Sequence, residues 1–342
     1  MTILVVGGGA VGSFIATTLV TGGNDVTLLR RGETPGLSRE SFTVVGPASE
    51  SHVVELDVAG APEAVSQVPG IVVLAVKMPD LPGAIEAAAR WPDAAVLAVQ
   101  NGVGADALLE STRTSGGIVA GSLTAAIELD RESATIRRLS AGGIGLAPVR
   151  GDVAGVLEEL AAGFQAGGLR PRRVSDPVSM RWSKLLANLL ANATSAIVDL
   201  DSADVYRDRG LFAIERRQLR EALAVIHRLG VRLVSLPGAD TRPLRLAGRL
   251  PAGLVQPVML RLVAAGRGGK TPSLRRHLLS GGGPSEVDWL NGAVASAALE
   301  MNRRAPINAR LAELVGECSA DPARWAWFRG RPDRLITELE AL

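Results

Sequence analysis

Residues 2–31, TILVVGGGAVGSFIATTLVTGGNDVTLLRR, contain the glycine-rich pattern that decides the fold. The run Thr2–Val6 is apolar throughout, as expected for a parallel strand that is buried on both faces. A glycine turn, a helix-like stretch that ends near Thr21 and a second strand, Asp25–Leu29, follow it. The turn GGGAVG fits the pattern GxGxxG and lies between a strand and a helix, as dinucleotide binding requires. The stretch therefore predicts an α/β domain with a Rossmann-type, doubly wound sheet.

The same turn indicates how the cofactor would be held. Gly7 permits the tight turn, Gly9 lets a pyrophosphate approach the backbone, and Gly12 lets the helix pack closely on the strand. The phosphates are expected at the helix N-terminus, where backbone N–H groups and the helix dipole favour anions. The cofactor contacts predicted in this turn are Gly7, Gly9, Ala10, Val11 and Gly12.

The end of the second strand predicts which dinucleotide binds. A site for NAD usually has an acid here, which binds the ribose 2′-hydroxyl. This chain has Arg30 and Arg31 instead, and guanidinium groups suit a 2′-phosphate. NADP is therefore the predicted cofactor. The alternative is that both arginines only solvate the end of a strand.

Two further apolar runs, Ile71–Val76 and Ala94–Val99, predict central strands of the sheet. Lys77 follows the first run and Asn101 follows the second. Ligands of open parallel sheets bind outside the carboxyl ends of the strands, so both residues are predicted cofactor contacts, and Asn101 a substrate contact too. The alternative for Asn101 is a simple Asn-Gly turn. Runs at residues 118–123 and 142–147 are expected to complete the sheet.

The second half of the chain predicts helices with a polar stripe. Asp176-Pro177 suits a helix start, and the helix is expected to run from Pro177 to about Ile197. Lys184, Asn188 and Asn192 then lie on one face, at i, i+4 and i+8. Burying these groups without a partner is costly, so they suit an oxygen-rich ligand. The alternative is a solvated polar stripe.

The lysine count singles out Lys184. Only three of the 37 basic residues are lysines, namely Lys77, Lys184 and Lys270. Arginine keeps its proton at working pH, whereas a partly buried lysine can lose it. Lys184 is therefore a candidate proton donor, and the alternative is that the three lysines are accidental. A second helix is expected near Ser285, with Glu286 in its first turn, where capping of the helix dipole is the alternative role for Glu286.

Length and composition limit the class of protein. The 342 residues suit three segments: an NADP-binding domain at 1–170, a helical substrate domain at 171–315 and an extension at 316–342. The Gly-, Arg- and Pro-rich stretch 163–178 is expected to connect the domains, and substrate is expected between them. The net charge is only +2, and the basic residues are scattered among acidic ones. The sequence therefore shows no basic patch of the kind that binds nucleic acid.

Cysteine use and hydropathy limit the location. The single cysteine, Cys318, excludes an internal disulfide and suits a reducing cytoplasm. No apolar run approaches the length of a membrane span, and neither a signal peptide nor a metal-ligand cluster is present. A cytoplasmic protein without a metal or a membrane partner is therefore expected, and a homodimer is possible.

Several of these motifs together resemble the ketopantoate reductase (2-dehydropantoate 2-reductase) family. The resemblance covers about residues 1–315 and is most specific in RWSKLLANLLANATSAI and PSLRRHLLSGGGPSEVDWLNG. It implies NADP phosphate binding by Arg31, a cofactor-site lysine at Lys77, and Asn101 near nicotinamide and substrate. It also implies catalysis by Lys184 with Glu286 and substrate binding by Asn188, Asn192 and Ser273, while Asn291 matches a signature position.

The chain departs from the family on the substrate side. His277 replaces an expected aspartate, and the segment Gly281–Glu286 is one residue longer and lacks an arginine. The expected activity is NADPH-dependent reduction of a branched 2-oxo acid, foremost ketopantoate to pantoate in pantothenate biosynthesis. The alternatives are a relative that acts on another 2-keto acid or an imine, as opine-type dehydrogenases do, and a non-catalytic NADP-binding sensor.

Overall fold

A computed structural model describes residues 1–30, 36–266 and 271–342. Contacts divide the chain into two compact units. The first unit comprises Met1–Gln100, Gly104–Met180 and Leu236–Ala239, and the second comprises Asn101–Val103, Arg181–Ser235 and Asp240–Leu342. The expected boundaries of independently folding domains, at residues 170 and 315, stay predictions.

The first unit is built on a mixed sheet, which the described residues form with 11 strands in the order β11-β10-β7-β6-β5-β1-β2-β4-β3-β9-β8. Its centre, from β7 to β4, is parallel, whereas β10 runs antiparallel to β7 and β3 runs antiparallel to β4. The strands are β1 (Thr2–Val6), β2 (Asp25–Leu29), β3 (Leu37–Val45), β4 (Ser51–Ala59), β5 (Ile71–Leu74), β6 (Ala95–Ala98), β7 (Ile118–Leu123), β8 (Ile127–Asp130), β9 (Thr135–Arg138), β10 (Gly143–Arg150) and β11 (Arg170–Arg173). The Rossmann-type sheet predicted from the sequence is therefore confirmed.

Four helices cover this sheet: α1 (Ala10–Thr21), α2 (Leu81–Ala88), α3 (Ala105–Thr112) and α4 (Ala154–Ala166). Glycines let α1 and α4 approach each other closely. A Cβ atom on Gly22 would lie 2.1 Å from the carbonyl oxygen of Gly163, and one on Gly167 would lie 2.0 Å from that of Thr18. These contacts lie at the C-terminal end of α1, at the opposite end of the helix from the glycine turn.

The second unit is mostly helical, as expected, and its core is formed by leucines, isoleucines and valines that are almost fully buried. The strands β12 (Ser235–Leu236) and β13 (Ala239–Asp240) form a short two-stranded sheet. The helices are α5 (Pro177–Leu189), α6 (Ala193–Val198), α7 (Ser202–Arg207), α8 (Arg209–Arg228), α9 (Leu244–Ala247), α10 (Ala252–Gly266), α11 (Ser273–Leu279), α12 (Asn291–Glu300), α13 (Pro306–Ala320), α14 (Pro322–Phe328) and α15 (Pro332–Glu340).

The continuous helix expected from Pro177 to Ile197 is wrong. Its start is confirmed, because the Asp176 carboxylate accepts the N–H groups of Val178 and Ser179 at 3.0 and 3.2 Å. The helix nevertheless ends at Leu189, and Ala191 has a left-handed φ of +46° before α6 begins. A tertiary hydrogen bond to the Ala191 N–H competes with helix formation here, and helical periodicity cannot reveal it.

The helix expected near Ser285 starts later than the sequence suggests. Residues Val287–Trp289 form a 3-10 turn, and α12 begins at Asn291 after a non-helical Leu290. The carbonyl oxygen of Trp289 accepts the N–H of Val103 at 3.2 Å, so a distant segment uses a group that a regular helix would need. The stretch 163–178 is also more than a connection, since β11 within it pairs with β10.

In the described part of the chain, no helix has both the length and the apolar character that crossing a membrane requires.

Candidate active site

The glycine turn after β1 has the geometry of a dinucleotide-binding turn. Gly7 has a φ of +121°, and a Cβ atom there would lie 2.9 Å from the Ala75 carbonyl group. A Cβ atom on Gly12 would lie 1.8 Å from the Gly7 carbonyl oxygen, so the turn and the helix start admit no side chain at either position.

The start of α1 leaves room for a ligand. A Cβ atom on Gly9 would meet no atom within 4 Å, and no side chain caps the helix there. The first N–H groups of a helix have no partner inside the helix, so those of Ala10 and Val11 suit a phosphate. The turn therefore fits the pyrophosphate of a dinucleotide.

At the end of β2, Arg30 is paired with a carboxylate that the sequence did not point to. Its Nη2 lies 2.6 Å from Oε1 of Glu40 on β3, and both side chains are about one-third exposed, at 33% and 31%. The side chain of Arg30 also lies over Gly8. Arg31, the predicted phosphate ligand, lies outside the described residues. Arg30 is therefore largely committed to Glu40, and the predicted preference for NADP depends on Arg31.

Lys77 and Gln100 lie beyond the carboxyl ends of the central strands β5 and β6, at the edge of the sheet where a ligand is expected. Lys77 is exposed and lies three residues beyond the end of β5. Gln100 is buried, and its Nε2 donates to the carbonyl oxygens of Leu74 and Val76 at 2.8 and 3.2 Å. It thereby ties the end of β6 to the end of β5. The sequence shows Gln100 as a polar residue after the apolar run Ala94–Val99, but it does not reveal that this side chain joins the ends of two strands.

The Asn-Gly segment belongs to the second unit and contacts a residue of α5 within that unit. Asn188 Nδ2 donates to Asn101 Oδ1 at 3.3 Å. Gly102 has a φ of +85°, and a Cβ atom on it would lie 2.2 Å from the Trp289 carbonyl oxygen. The segment 101–103 is therefore packed against the 3-10 turn that follows Glu286, which is more than the simple turn considered as an alternative.

Lys184 and Asn188 lie one helical turn apart on α5, and both are partly buried. The adjoining Leu185, Leu186 and Leu189 are fully buried or nearly so. An ammonium group and a carboxamide are thus held at the edge of an apolar core. Glu286 is also partly buried, directly before the 3-10 turn.

Asn192 and Ser273 form a second pair. Asn192 Nδ2 lies 3.3 Å from Ser273 Oγ, and Asn192 Oδ1 accepts the Leu274 N–H at 3.1 Å. The side chain of Asn192 is buried, whereas Ser273 is exposed at the start of α11. Both ends of the Asn192 carboxamide are therefore used to hold the start of α11, and the Ser273 hydroxyl is the part of this pair that faces solvent.

His277, which replaces the aspartate of the family pattern, is a buried residue. Its Nε2 lies 3.1 Å from the Gly283 carbonyl oxygen and 2.9 Å from Ser319 Oγ. These contacts join the glycine segment Gly281–Gly283 to α13. The substitution therefore acts on the shape of the segment before Glu286.

A cavity of about 1110 Å³ in the second unit is lined by Arg220, His227, Arg228, Arg245 and Arg249, among others, and by none of the predicted site residues. Its basic side chains are exposed, so it offers no buried group for catalysis. Within the described residues, no group of His, Cys, Asp and Glu side chains could hold a metal ion.

Comparisons with known proteins identify the family. The family model described as "Ketopantoate reductase PanE/ApbA" matches residues 3–150, and the one described as "Ketopantoate reductase PanE/ApbA C terminal" matches residues 176–319. A 2-dehydropantoate 2-reductase of Halobacterium salinarum is 28% identical over 318 residues, which cover 92% of this chain and 98% of the relative.

Solved structures agree with this result. A PanE/ApbA family ketopantoate reductase from Ralstonia eutropha JMP134 has a TM-score of 0.76 and 25% identity, covering 94% of this chain and 99% of its own. A D-mandelate dehydrogenase in a ternary structure with NADH and anilino(oxo)acetate has a TM-score of 0.75. At 17% identity, with 96% of this chain and 99% of the other covered, it shows the fold alone. Because the two family models together match most of its length, the chain belongs to the ketopantoate reductase family of oxidoreductases.

Proposed function

We propose that this protein uses NADPH to reduce a branched 2-oxo acid to the 2-hydroxy acid, with ketopantoate as the foremost substrate and pantothenate biosynthesis as the pathway. The observation that carries the proposal is the contact between Asn101 and Asn188, one turn from Lys184. It gathers two carboxamides beside a group that can donate a proton. The family membership supports the same class of reaction.

The first unit would hold the cofactor, whose nicotinamide supplies the hydride. The open N-terminus of α1 suits the pyrophosphate, and Lys77 suits a further anionic group of the cofactor. Arg31 is proposed to bind the 2′-phosphate. Since Glu40 already neutralises Arg30, a single guanidinium would account for most of the choice between NADPH and NADH.

The second unit would supply the proton. As hydride adds to the keto carbon, negative charge develops on the carbonyl oxygen, and Lys184 Nζ protonates or strongly hydrogen-bonds that oxygen. Asn188 and Asn101 orient the substrate through its oxygen atoms. Glu286 would hold the Lys184 ammonium group or a distal hydroxyl group of the substrate.

Ser273 is proposed to meet a carboxylate or hydroxyl oxygen of the substrate, since its side chain is exposed. Asn192 contributes by orienting Ser273, because its own carboxamide is buried and occupied. Substrate recognition in this region thus uses one exposed hydroxyl held by one buried amide.

A second candidate is the reduction of a different 2-oxo acid. The contacts of His277 with Gly283 and Ser319 give the segment before Glu286 a shape of its own. This segment lies on the proposed substrate side of the site. The part of the 2-oxo acid that is most open to change is therefore the substituent next to its keto group. A sensor without turnover is disfavoured, because binding alone needs no proton donor such as Lys184.

We also propose a cytoplasmic enzyme, since the single cysteine forms no internal disulfide. The thiol of Cys318 is buried, and burial raises its pKa to about 12. A thiol that stays protonated is a poor nucleophile, which suits a structural role. A homodimer stays a prediction.

The proposal is tested by following the oxidation of NADPH and NADH with a panel of 2-oxo acids that includes ketopantoate. We expect NADPH to bind more tightly than NADH, and Arg31→Ala to remove most of that preference. A charge-assisted phosphate contact contributes about 1.5–3 kcal/mol, so about a tenfold loss or more is expected.

Arg39→Ala is the matched control for this experiment. Arg39 is an exposed arginine on strand β3 and pairs with Asp57, so its loss should leave the cofactor preference unchanged. Equal affinity of the wild type for NADPH and NADH would refute the assignment of Arg31. Absence of turnover with every 2-oxo acid would refute the proposed reaction.

A further inference from the structure

The break between α5 and α6 is a strained feature beside the proposed substrate residues. Ala191 adopts a left-handed φ of +46°, a conformation that residues with a Cβ atom adopt only at a cost. The next residue, Asn192, carries the carboxamide that holds Ser273 and the start of α11. A group elsewhere in the molecule must therefore stabilise the break.

That group is the carboxylate of Glu215 on α8, which is 1% exposed. Its Oε2 accepts the Ala191 N–H at 2.8 Å and the Tyr206 hydroxyl at 3.0 Å. Its Oε1 accepts the Thr194 hydroxyl at 2.6 Å. The carboxylate thus binds the residue before Asn192 and a residue in the first turn of α6, which follows it.

The next polar residue on the same face of α8 binds the other side of the break. Gln218 Nε2 donates to the Leu189 carbonyl oxygen at 3.2 Å, and its Oε1 accepts Asn291 Nδ2 at 2.7 Å. Asn291 begins α12. The face formed by Glu215 and Gln218 therefore holds the end of α5, the start of α6 and the start of α12.

We propose that Glu215 is a positioning residue that sets the affinity for the 2-oxo acid by fixing the direction of Asn192 and, through it, of Ser273. This inference rests on the proposed function. Three donors converge on the two oxygens of Glu215, and a carboxylate offers acceptor lone pairs on both oxygens. Glutamine keeps the shape but turns one acceptor into a donor.

The test is Glu215→Gln, assayed for KM, kcat and the Kd of NADPH. We expect KM for the 2-oxo acid to rise about tenfold, since one misdirected contact in a binding site has roughly that effect. The values of kcat and of the NADPH Kd should stay within about a factor of three, because Lys184 and the glycine turn lie outside the break. A purely structural role would lower the midpoint of thermal unfolding without this split between KM and kcat.

Asp208→Ala is the matched control on the same helix. Asp208 caps α8 by accepting the Leu211 N–H at 2.8 Å and does not contact the break. It should lower the midpoint of thermal unfolding and leave KM unchanged. If Glu215→Gln folds poorly, Tyr206→Phe removes a single donor to the carboxylate and should raise KM in the same direction by a smaller factor.

A double-mutant cycle with Asn192→Ala decides whether Glu215 acts through Asn192. In the Asn192→Ala background, Glu215→Gln should change kcat/KM by less than about twofold, because the contact that it positions is already gone. Additive losses of kcat/KM in the double mutant, or an unchanged KM in both Glu215→Gln and Tyr206→Phe, would overturn this inference and leave the proposed function standing. A wild-type protein without 2-oxo acid turnover would instead overturn the proposed function and this inference with it.

Discussion

Among single residues, Lys184 is the group on which the proposed chemistry depends most. It lies partly buried on α5, one turn before Asn188. Lysine can act as a proton donor, whereas arginine holds its proton and presents a wider, planar head group. The chain uses arginine for nearly all its other positive charges, so a substitution to arginine separates a charge from a proton donor.

We expect Lys184→Arg and Lys184→Ala to lose about 10²–10⁴-fold in turnover, the usual contribution of a general acid. The affinity for NADPH should change little in both variants, which is the internal control for folding. Glu286→Gln should lose less if the glutamate mainly positions other groups. Initial rates and cofactor titrations of the four proteins check this, and a Lys184→Arg enzyme with a near wild-type rate would remove Lys184 from the mechanism.

Among the structural elements, the segment 101–103 has a backbone that close contacts restrict. Gly102 combines a φ of +85° with a Cβ position 2.2 Å from the Trp289 carbonyl oxygen. Val103 donates to the same carbonyl, and Asn101 meets Asn188. A shift of this segment would therefore move the Asn101 amide, which is proposed to contact the substrate, and disturb the turn after Glu286 at the same time.

Gly102→Ala should lower the free energy of unfolding by at least about 1–2 kcal/mol, the cost of a left-handed residue with a Cβ atom. It should also raise KM, because Asn101 is displaced. Denaturant unfolding and steady-state kinetics measure both effects. Gly316→Ala is the control, since Gly316 lies inside α13 with no atom within 4 Å of its Cβ position, and alanine there should stabilise by roughly 0.5–1 kcal/mol. Equal changes of the unfolding free energy and of KM in Gly102→Ala and Gly316→Ala would contradict the restricted backbone assigned to Gly102.

For the molecule as a whole, ion pairs and buried side chains join the C-terminal helices to the rest of the second unit. Asp199 accepts Arg275 Nε at 2.8 Å and Arg329 Nη2 at 2.7 Å, which are 76 and 130 residues away in the chain. Trp325 Nε1 donates to the Ala196 carbonyl oxygen at 2.9 Å. Phe328, Leu335 and Leu339 are fully buried, so the last helices form part of the core.

These contacts predict a loss of stability in acid. Burial alone would raise the pKa of Asp199, but its hydrogen bonds to Arg275 and Arg329 hold that pKa below the ordinary value of 3.8. A carboxyl group with a lowered pKa in the folded state stabilises the protein above its unfolded pKa. This stabilisation is lost as the pH falls through the folded pKa.

Asp199→Asn should therefore lower the free energy of unfolding at pH 7 by about 1.5–3 kcal/mol, as for hydrogen bonds to charged groups. The difference from the wild type should shrink as the pH falls below 4. Unfolding measured across this range checks both statements. Asp333→Asn, which breaks an exposed pair with Arg331, should have little effect, and a pH-independent difference for Asp199→Asn would contradict the account.

The sequence by itself determined those features that depend on a residue and its close neighbours along the chain. The glycine turn, the strands β1 and β2 and the capping of α5 by Asp176 follow from local backbone preferences and from apolar runs. The contact between Asn101 and Asn188 was also within reach, because the motifs on both sides of it are specific.

Only the tertiary structure decided the features that depend on partners far away in the chain. Glu215 stops α5 from a distance of 24 residues, Glu40 neutralises Arg30 from the neighbouring hairpin, and Trp289 shares its carbonyl oxygen with Val103. Helical periodicity continues unbroken through Ala191, but a buried carboxylate that needs donors there outweighs the small local preference for a helix. Residues differ in the free energy of helix propensity by less than one buried hydrogen bond to a charged group contributes. Tertiary contacts therefore interrupt the predicted helix at the residues that shape the proposed substrate site.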